Sequence, residues 1–156
     1  MRIIGIDPGT GIMGFGVIEY AKGKAQLVDA GVIRTPAKED DAIRLQTIFE
    51  ELTDIIVETK PEIMSVEKLF FAQNVTTAMT VAQARGVVLL AGKQAGLDIF
   101  EYTPLQIKQA LTGYGRAEKS QIQEMVRVIL QLKEIPRPDD CADALAAAIT
   151  HSMNMR

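Results

Sequence analysis

The feature that most constrains the fold is the start of the chain, where β-branched runs alternate with glycine-rich turns. Residues 2–7 are apolar and β-branched, residues 8–11 (PGTG) interrupt them, and residues 15–20 resume a strand pattern. After a second turn at residues 21–24, residues 25–34 supply a third strand. Short β-rich runs separated by turn residues are typical of antiparallel hairpins. The chain is therefore predicted to open with a three-stranded antiparallel meander.

Helices and short strands alternate after the meander. Their apolar residues recur at helical spacing in the helices, and turn residues or prolines separate the elements. The first predicted helix begins at Asp40 or Asp41 and ends at Lys60, and a strand over residues 62–67 follows it. The next helix runs from an Asn74 cap to Gly96 and precedes a strand over residues 97–102. Three further helices are predicted over residues 104–111, over residues 119–132 and from an Asp139 or Asp140 cap through Ile149. This order predicts an α/β fold, with a mixed five-stranded sheet that is antiparallel in its first three strands and flanked by helices.

Length and hydropathy limit the class of protein. A chain of 156 residues fits a single domain over residues 1–156, and the sequence has no repeat or linker. The longest uncharged apolar run, residues 144–149, is far shorter than the roughly 20 residues of a membrane span. The apolar N-terminus also reaches Asp7 too early for a signal peptide. We therefore expect a cytoplasmic protein without a membrane partner.

Cysteine and histidine are too scarce to carry the chemistry. Cys141 is the only cysteine and His151 the only histidine. An internal disulfide and a multi-cysteine zinc site are therefore excluded, and histidine-based catalysis has almost nothing to use. Any catalytic chemistry must depend on carboxylates.

Four carboxylates can meet at one end of the predicted sheet. Asp7 ends the first strand and Glu67 the fourth, while a spacing of three puts Asp140 and Asp143 on one face of the last helix. Such a cluster cannot stay fully ionised without cations, so the four together predict a site for hard divalent ions, Mg²⁺ or Mn²⁺. Taken singly, Asp140 could instead be a helix N-cap and Glu67 a surface residue.

A glycine-rich motif close to Asp7 invites two other interpretations. Residues 9–14 match G-x-G-x-x-G, but a dinucleotide-binding loop is followed by a helix, and here a strand follows. Residues 7–11 also look like the phosphate loop of actin-like sugar kinases and ATPases. Each of those proteins looks like two copies of such a domain in tandem, and this chain is too short to form a second copy. A glycine-rich hairpin turn is the simpler interpretation.

The charge distribution gives mixed signals about a nucleic-acid partner. A formal charge of −3 and a pI near 5.2 are unusual for a protein that neutralises phosphates. Residues 68–137, however, hold nine basic and five acidic groups. This middle section could present a positive surface beside an acidic site, or it could be an ordinary solvated helix face.

Several blocks of the sequence together resemble the RuvC family, the Holliday-junction resolvases of bacterial recombination within the retroviral-integrase and ribonuclease H superfamily. The blocks span nearly the whole chain. They are residues 6–10 (IDPGT), 14–16 (GFG), 66–74 (VEKLFFAQN), 83–86 (QARG), 107–109 (IKQ), 115–121 (GRAEKSQ) and 140–146 (DCADALA), ending near residues 150–151. The resemblance implies a ribonuclease H-like fold and a metal-dependent endonuclease that cuts two opposed strands of a four-way DNA junction, leaving 5′-phosphate and 3′-hydroxyl ends.

The resemblance also implies roles for particular residues. Asp7, Glu67, Asp140 and Asp143 would be the catalytic carboxylates that hold two Mg²⁺ per site. An aromatic side chain at Phe70 would stack on a base at the junction, although a core phenylalanine is the alternative. Lys108 and Lys119 match positions that contact phosphate near the active site, and Arg85 lies in the matched QARG block. The candidate DNA-binding residues are therefore Phe70, Arg85, Lys108 and Lys119.

Partners follow from the resemblance and from the symmetry of the substrate. Two opposed strands require two identical sites, so we expect a homodimer, with the long helix after Asn74, which contains Gly86 and Gly92, as its candidate interface. Simple packing of that helix on the sheet is the alternative. A branch-migration helicase complex is the further partner that the family implies.

The sequence leaves one ligand and two competing functions open. Asp139 adds a carboxylate beside the expected one, so either could be the ligand, and we prefer Asp140 for its three-residue spacing from Asp143. Two other functions compete with the resolvase hypothesis. One is the related ribonuclease H-like nuclease family that processes ribosomal RNA precursors, and the other is a catalytically silent junction-binding protein.

Overall fold

The computed structural model describes residues 1–68 and 75–155, and within these residues five strands form one mixed sheet. The strands are β1 (Arg2–Asp7), β2 (Ile12–Ala21), β3 (Lys24–Arg34), β4 (Ile63–Glu67) and β5 (Asp98–Tyr102). Their spatial order is β3-β2-β1-β4-β5. β1, β2 and β3 pair antiparallel, whereas β4 is parallel to β1 and β5 is parallel to β4. The predicted mixed sheet with an antiparallel start is confirmed.

Helices cover both faces of this sheet. In the same part of the chain they are α1 (Asp41–Thr59), α2 (Val75–Gln94), α3 (Pro104–Thr112), α4 (Lys119–Ile129) and α5 (Asp139–Asn154). Successive strand residues point to opposite faces, so Ile4 packs with α1 and α2 whereas Ile3 packs with α3, α4 and α5. The sheet therefore lies between two apolar cores, with α5 against the face of β1, β2 and β4.

Some predicted boundaries differ from the structure. β2 begins at Ile12 rather than at residue 15, because Ile12 and Met13 already pair with the end of β3. The cap predicted at Asp139 or Asp140 is wrong: Pro138 is the N-cap of α5, and no side chain caps the helix. Both aspartates instead lie in the first turn, where their negative charge is favourable to the helix dipole. The predicted cap at Asn74 lies outside the described residues.

α2 is the helix that combines length with an apolar composition. Within the described residues it is the one helix long and apolar enough to cross a membrane by those two criteria. Ala84, Val88 and Ala91 on one side of α2 are buried against the sheet and α1. Val75, Met79 and Leu90 are 52–72% exposed. α2 therefore has one apolar face in the core and another without a partner in the described chain.

Candidate active site

Two carboxylates lie side by side because parallel strands end at the same edge of the sheet. Ile6 of β1 pairs with Val66 of β4, so the next residues, Asp7 and Glu67, are neighbours at that edge. The two carboxyl groups are close enough for each to influence the pKa of the other. Both are largely buried, which is costly for a charged group unless it has a partner.

Glycines in β1 and β2 allow α5 to approach this edge. A Cβ atom at Gly14 would collide with the carbonyl oxygen of Asp140, and one at Gly5 would collide with that of Ala144. Only glycine permits such close contact between a strand backbone and a helix backbone. This contact brings the first turn of α5, with Asp140 and Asp143, to the edge that holds Asp7. We did not predict this role from the sequence, although glycine inside two paired strands was a usable signal.

The four carboxylates interact electrostatically. Burial, followed by the charges of Glu67, Asp143 and Asp140, raises the pKa of Asp7 to about 8. Burial and the charge of Asp143 raise the pKa of Glu67 to about 7. Burial also raises the pKa of Asp143. These influences place the charges of Asp7, Glu67, Asp140 and Asp143 near one another, and the role of the four residues as metal ligands stays a prediction.

Two lysines accompany the carboxylates. The Nζ atom of Lys119 lies 3.3 Å from Oδ2 of Asp143 and 3.5 Å from Oδ2 of Asp139. Lys108, on α3, lines a cavity of about 290 Å³ together with Lys119, Glu67 and Asp143. The positive charges of both lysines partly offset the rise in the pKa of Glu67. Acidic and basic groups thus share one cavity wall.

The donor chemistry fits a hard divalent cation, although the carboxylates stand some distance apart. No group of three or more His, Cys, Asp or Glu residues is close enough to hold a metal ion in the parts of the chain that the structure describes. The donors are all oxygen atoms, which are the ligands that Mg²⁺ and Mn²⁺ prefer.

The structure distinguishes the two adjacent aspartates at the start of α5. The charge of Asp140 raises the pKa of both Asp7 and Asp143, and the charge of Asp139 raises the pKa of Asp143. The Asp139 side chain is 59% exposed, pairs with Lys119 and accepts a hydrogen bond of 3.1 Å from Gln123. These contacts support Asp140 as the ligand and leave Asp139 on the outer side.

The other predicted DNA-binding residues have different outcomes. Arg85 forms an ion pair with Glu101 of β5 and is not among the residues that line the cavity with Lys108 and Lys119. Its DNA contact stays a prediction. Phe70 lies outside the described residues, so its predicted stacking also stays a prediction.

Cys141 and His151 take no part in the site. Burial raises the pKa of Cys141 to about 11, which keeps its thiol protonated. His151 is buried near the end of α5, where its Nδ1 atom shares a 2.8 Å hydrogen bond with the Tyr102 hydroxyl. The charge of Asp140 also contributes to the raised pKa of Cys141, so the thiol beside that carboxylate stays neutral and supplies no thiolate ligand.

We expect Asp7→Asn to stabilise the metal-free protein at pH 8. The unfolded chain ionises Asp7 near pH 4, whereas the folded state raises this pKa to about 8, so stability falls as the pH rises between these values. The asparagine side chain does not ionise, so the variant does not lose this part of its folding stability as the pH rises. Thermal unfolding in EDTA should give a melting temperature at least about 2 °C above that of the parent at pH 8, since 1 kcal/mol corresponds to about 2–4 °C in a domain of this size.

The same comparison at pH 4 supplies the internal control. There the difference between variant and parent should shrink, because the folded parent holds the Asp7 proton. Asp54→Asn, on the exposed surface of α1, should change neither value. An equal or lower melting temperature for Asp7→Asn at pH 8 would contradict the electrostatic account of the site.

A known protein family matches nearly the whole chain. Residues 3–151 match the family model of the crossover junction endodeoxyribonuclease RuvC. The chain belongs to the RuvC family. The match includes the two strand ends, the first turn of α5 and both lysines of the cavity.

Individual relatives agree with the family match. RuvC of Heliobacterium modesticaldum is 57% identical over 155 residues, which cover 98% of this chain and 96% of that protein. RuvC of Brevibacillus brevis is 55% identical over 152 residues, which cover 97% of this chain and 92% of that protein. Curated RuvC proteins therefore match nearly from end to end.

Solved RuvC structures share the fold. A Thermus thermophilus RuvC structure aligns with a TM-score of 0.93 at 41% identity, covering 100% of this chain and 96% of that one. A second, of T. thermophilus RuvC in complex with Holliday junction substrate, aligns with a TM-score of 0.95 at 40% identity, covering 100% and 95%. The predicted ribonuclease H-like fold is confirmed.

Membership of the RuvC family gives the class of activity. Its members are crossover junction endodeoxyribonucleases, so this chain is a nuclease of the hydrolase class. The family also implies a divalent metal cofactor, in agreement with the all-oxygen donor set of the site. The prediction of a crossover junction endonuclease is thereby confirmed.

Proposed function

We propose that this chain binds four-way junction DNA and resolves it by symmetrical hydrolysis of two opposed strands, with two Mg²⁺ per active site. The products would carry 5′-phosphate and 3′-hydroxyl ends that a ligase can seal. The enzyme would act in the cytoplasm, in homologous recombination and DNA repair, beside a branch-migration helicase complex.

The observation that carries the proposal is the combination of opposite charges at one edge of the sheet. Asp7 and Glu67 meet the first turn of α5 there, and Lys108 and Lys119 line the same cavity as Glu67. Carboxylates alone would repel a phosphodiester. Lysines alone would bind it without cutting it. Their combination suits a phosphate that is bound and then hydrolysed.

Each group has a distinct role in this mechanism. Asp7, Glu67, Asp140 and Asp143 would hold the Mg²⁺ ions, and Mn²⁺ would suit the same oxygen donors. When bound, the ions would activate a water for in-line attack and stabilise the leaving 3′ oxygen. The carboxylates would stay ionised for this task, because bound cations would offset the burial and the neighbouring negative charges that raise the pKa of Asp7. Lys108 and Lys119 would bind the phosphate and fix its orientation.

A homodimer is the assembly that we propose for this reaction. Val75, Met79 and Leu90 give α2 an exposed apolar face, which a second copy of the chain could cover. A two-fold axis at this face would present two sites to two opposed strands. Sedimentation at micromolar concentration should give a mass of twice 17.1 kDa, and a strictly monomeric protein would contradict this assembly.

Phe70 is proposed as the residue that stacks on a base at the junction centre. Phe70→Ala should then slow junction cleavage about 5- to 150-fold, because the stacking of one base on an aromatic side chain contributes about 1–3 kcal/mol. The melting temperature of the free protein should not change. A core phenylalanine would behave in the opposite way, with about 3–5 kcal/mol of lost stability and normal cleavage by the folded fraction.

Substrate competition tests the proposed function most directly. The protein, with Mg²⁺, should cut a mobile four-way DNA junction in preference to duplex DNA of the same sequence and to structured RNA. Excess EDTA should stop cleavage, and added Mg²⁺ should restore it. Preference for RNA would favour the alternative of a nuclease for ribosomal RNA precursors. Tight junction binding without any cleavage would favour a silent binding protein.

A further inference from the structure

Lys119 occupies a position that its own helix does not favour. It is the first residue of α4, where the positive end of the helix dipole repels a cation. The compensation comes from α5, because the Nζ atom lies 3.3 Å from Asp143 and 3.5 Å from Asp139. The ammonium group of Lys119 is therefore held by two carboxylates of a neighbouring helix.

The Asp139 carboxylate is itself oriented by α4. Its Oδ2 atom faces Lys119, and its Oδ1 atom accepts a 3.1 Å hydrogen bond from Nε2 of Gln123. Gln123 follows Lys119 by four residues, so both donors lie on the same face of α4. The Asp139 carboxylate thus contacts two donor side chains that lie one helical turn apart. These contacts restrict a side chain that is 59% exposed.

We propose that Asp139 is a positioning residue that keeps the Lys119 ammonium at the rim of the active site when Asp143 is engaged by a metal ion. The inference rests on the proposed function, in which Asp143 is a ligand and Lys119 binds phosphate. Engagement of Asp143 removes one of the two partners of Lys119. Without Asp139, the 56% exposed lysine side chain would also lose the second of the two carboxylates with which it forms ion pairs in the described residues.

A spectroscopic experiment tests this holding role without metal or substrate. Asp143→Asn removes the negative charge of Asp143 while keeping its volume. The measured quantity is the NMR signal of the Lys119 side-chain ammonium group in ¹⁵N-labelled protein, which is assigned by its loss in Lys119→Met. In the Asp143→Asn protein this signal should persist, because Asp139 still holds the ammonium group. The signal should broaden beyond detection in Asp143→Asn/Asp139→Asn. Asp143→Asn/Asp54→Asn, with a change on the exposed surface of α1, is the matched control and should retain it.

A kinetic cycle tests whether Asp139 acts through Lys119. Asp139→Asn should lower the single-turnover rate of junction cleavage with Mg²⁺ about two- to fivefold, the range typical of an exposed ion pair. Asp139→Glu should recover most of the loss. In a Lys119→Met background, the added Asp139→Asn change should have no further effect, because the group that it positions is already absent.

The outcomes separate this inference from the proposed function. If the parent does not cut junctions, the proposed function fails, yet the ammonium signal still reports whether Asp139 holds Lys119. If the parent cuts and the signal is the same in both double variants, the holding role is overturned. If Asp139→Asn slows cleavage by the same factor in the Lys119→Met background, Asp139 acts as a metal ligand. That result would also overturn the holding role.

Discussion

Glu67→Gln will reduce junction cleavage at least about 10³-fold while leaving junction binding within about threefold of the parent. The amide keeps the volume of the side chain but removes the charge of a proposed metal ligand beside Asp7. Metal ions contribute several kcal/mol to transition-state stabilisation in such reactions, and each 1.4 kcal/mol corresponds to a factor of ten in rate. Single-turnover cleavage with Mg²⁺, beside junction binding in EDTA, measures the two quantities.

Glu51→Gln is the matched control for this experiment. Glu51 carries the same side chain on the exposed surface of α1, on the other face of the sheet from α5. Its replacement should change neither cleavage nor binding. If Glu67→Gln cuts at a rate close to that of the parent, the assignment of the four carboxylates as the catalytic site is wrong.

Gly14→Ala will damage both stability and cleavage. A Cβ atom at this position collides with the backbone oxygen of Asp140, and a backbone atom cannot rotate away as a flexible side chain can. We expect a loss of about 1–3 kcal/mol in the free energy of unfolding, as for other overpacked sites. The displaced α5 would also misplace Asp140 and Asp143, and an error of about 1 Å in a catalytic group can cost about 100-fold in rate.

Gly11→Ala is the matched control for the glycine contact. A Cβ atom at Gly11 lies 3.4 Å from a terminal nitrogen of the Arg44 side chain, which can move aside. Thermal unfolding of Gly11→Ala should therefore resemble that of the parent. Equal melting temperatures and equal cleavage rates for the two alanine variants would show that the approach of α5 does not depend on Gly14.

The positions of Asp7 and Glu67 could be predicted from the sequence because they depend on local patterns. Each residue ends a short apolar strand, and strands that run parallel bring such ends together. The three-residue spacing of Asp140 and Asp143 is likewise a local property of a helix. The confirmed parts of the fold, above all the meander and its order of elements, have the same origin in turns and periodicity.

Contacts between separate helices could not be predicted in this way. Nothing in the local pattern of residues 115–121 indicates that Lys119 reaches Asp143, because that distance depends on how α4 crosses α5. The pairing of Arg85 with Glu101 similarly depends on how α2 lies against β5. The missed cap at Pro138 has a different cause, since aspartates at the start of a helix suit either a cap or the first turn.

The position of α5 along the chain has a consequence for the cell that makes the protein. Asp7 and Glu67 are synthesised early, whereas Asp140 and Asp143 are added only after the first 139 residues. A growing chain on the ribosome therefore holds only two of the four proposed metal ligands until α5 emerges and packs on β1 and β2. Fragments that lack this helix would also lack two of the four proposed metal ligands, so we expect them not to cut DNA.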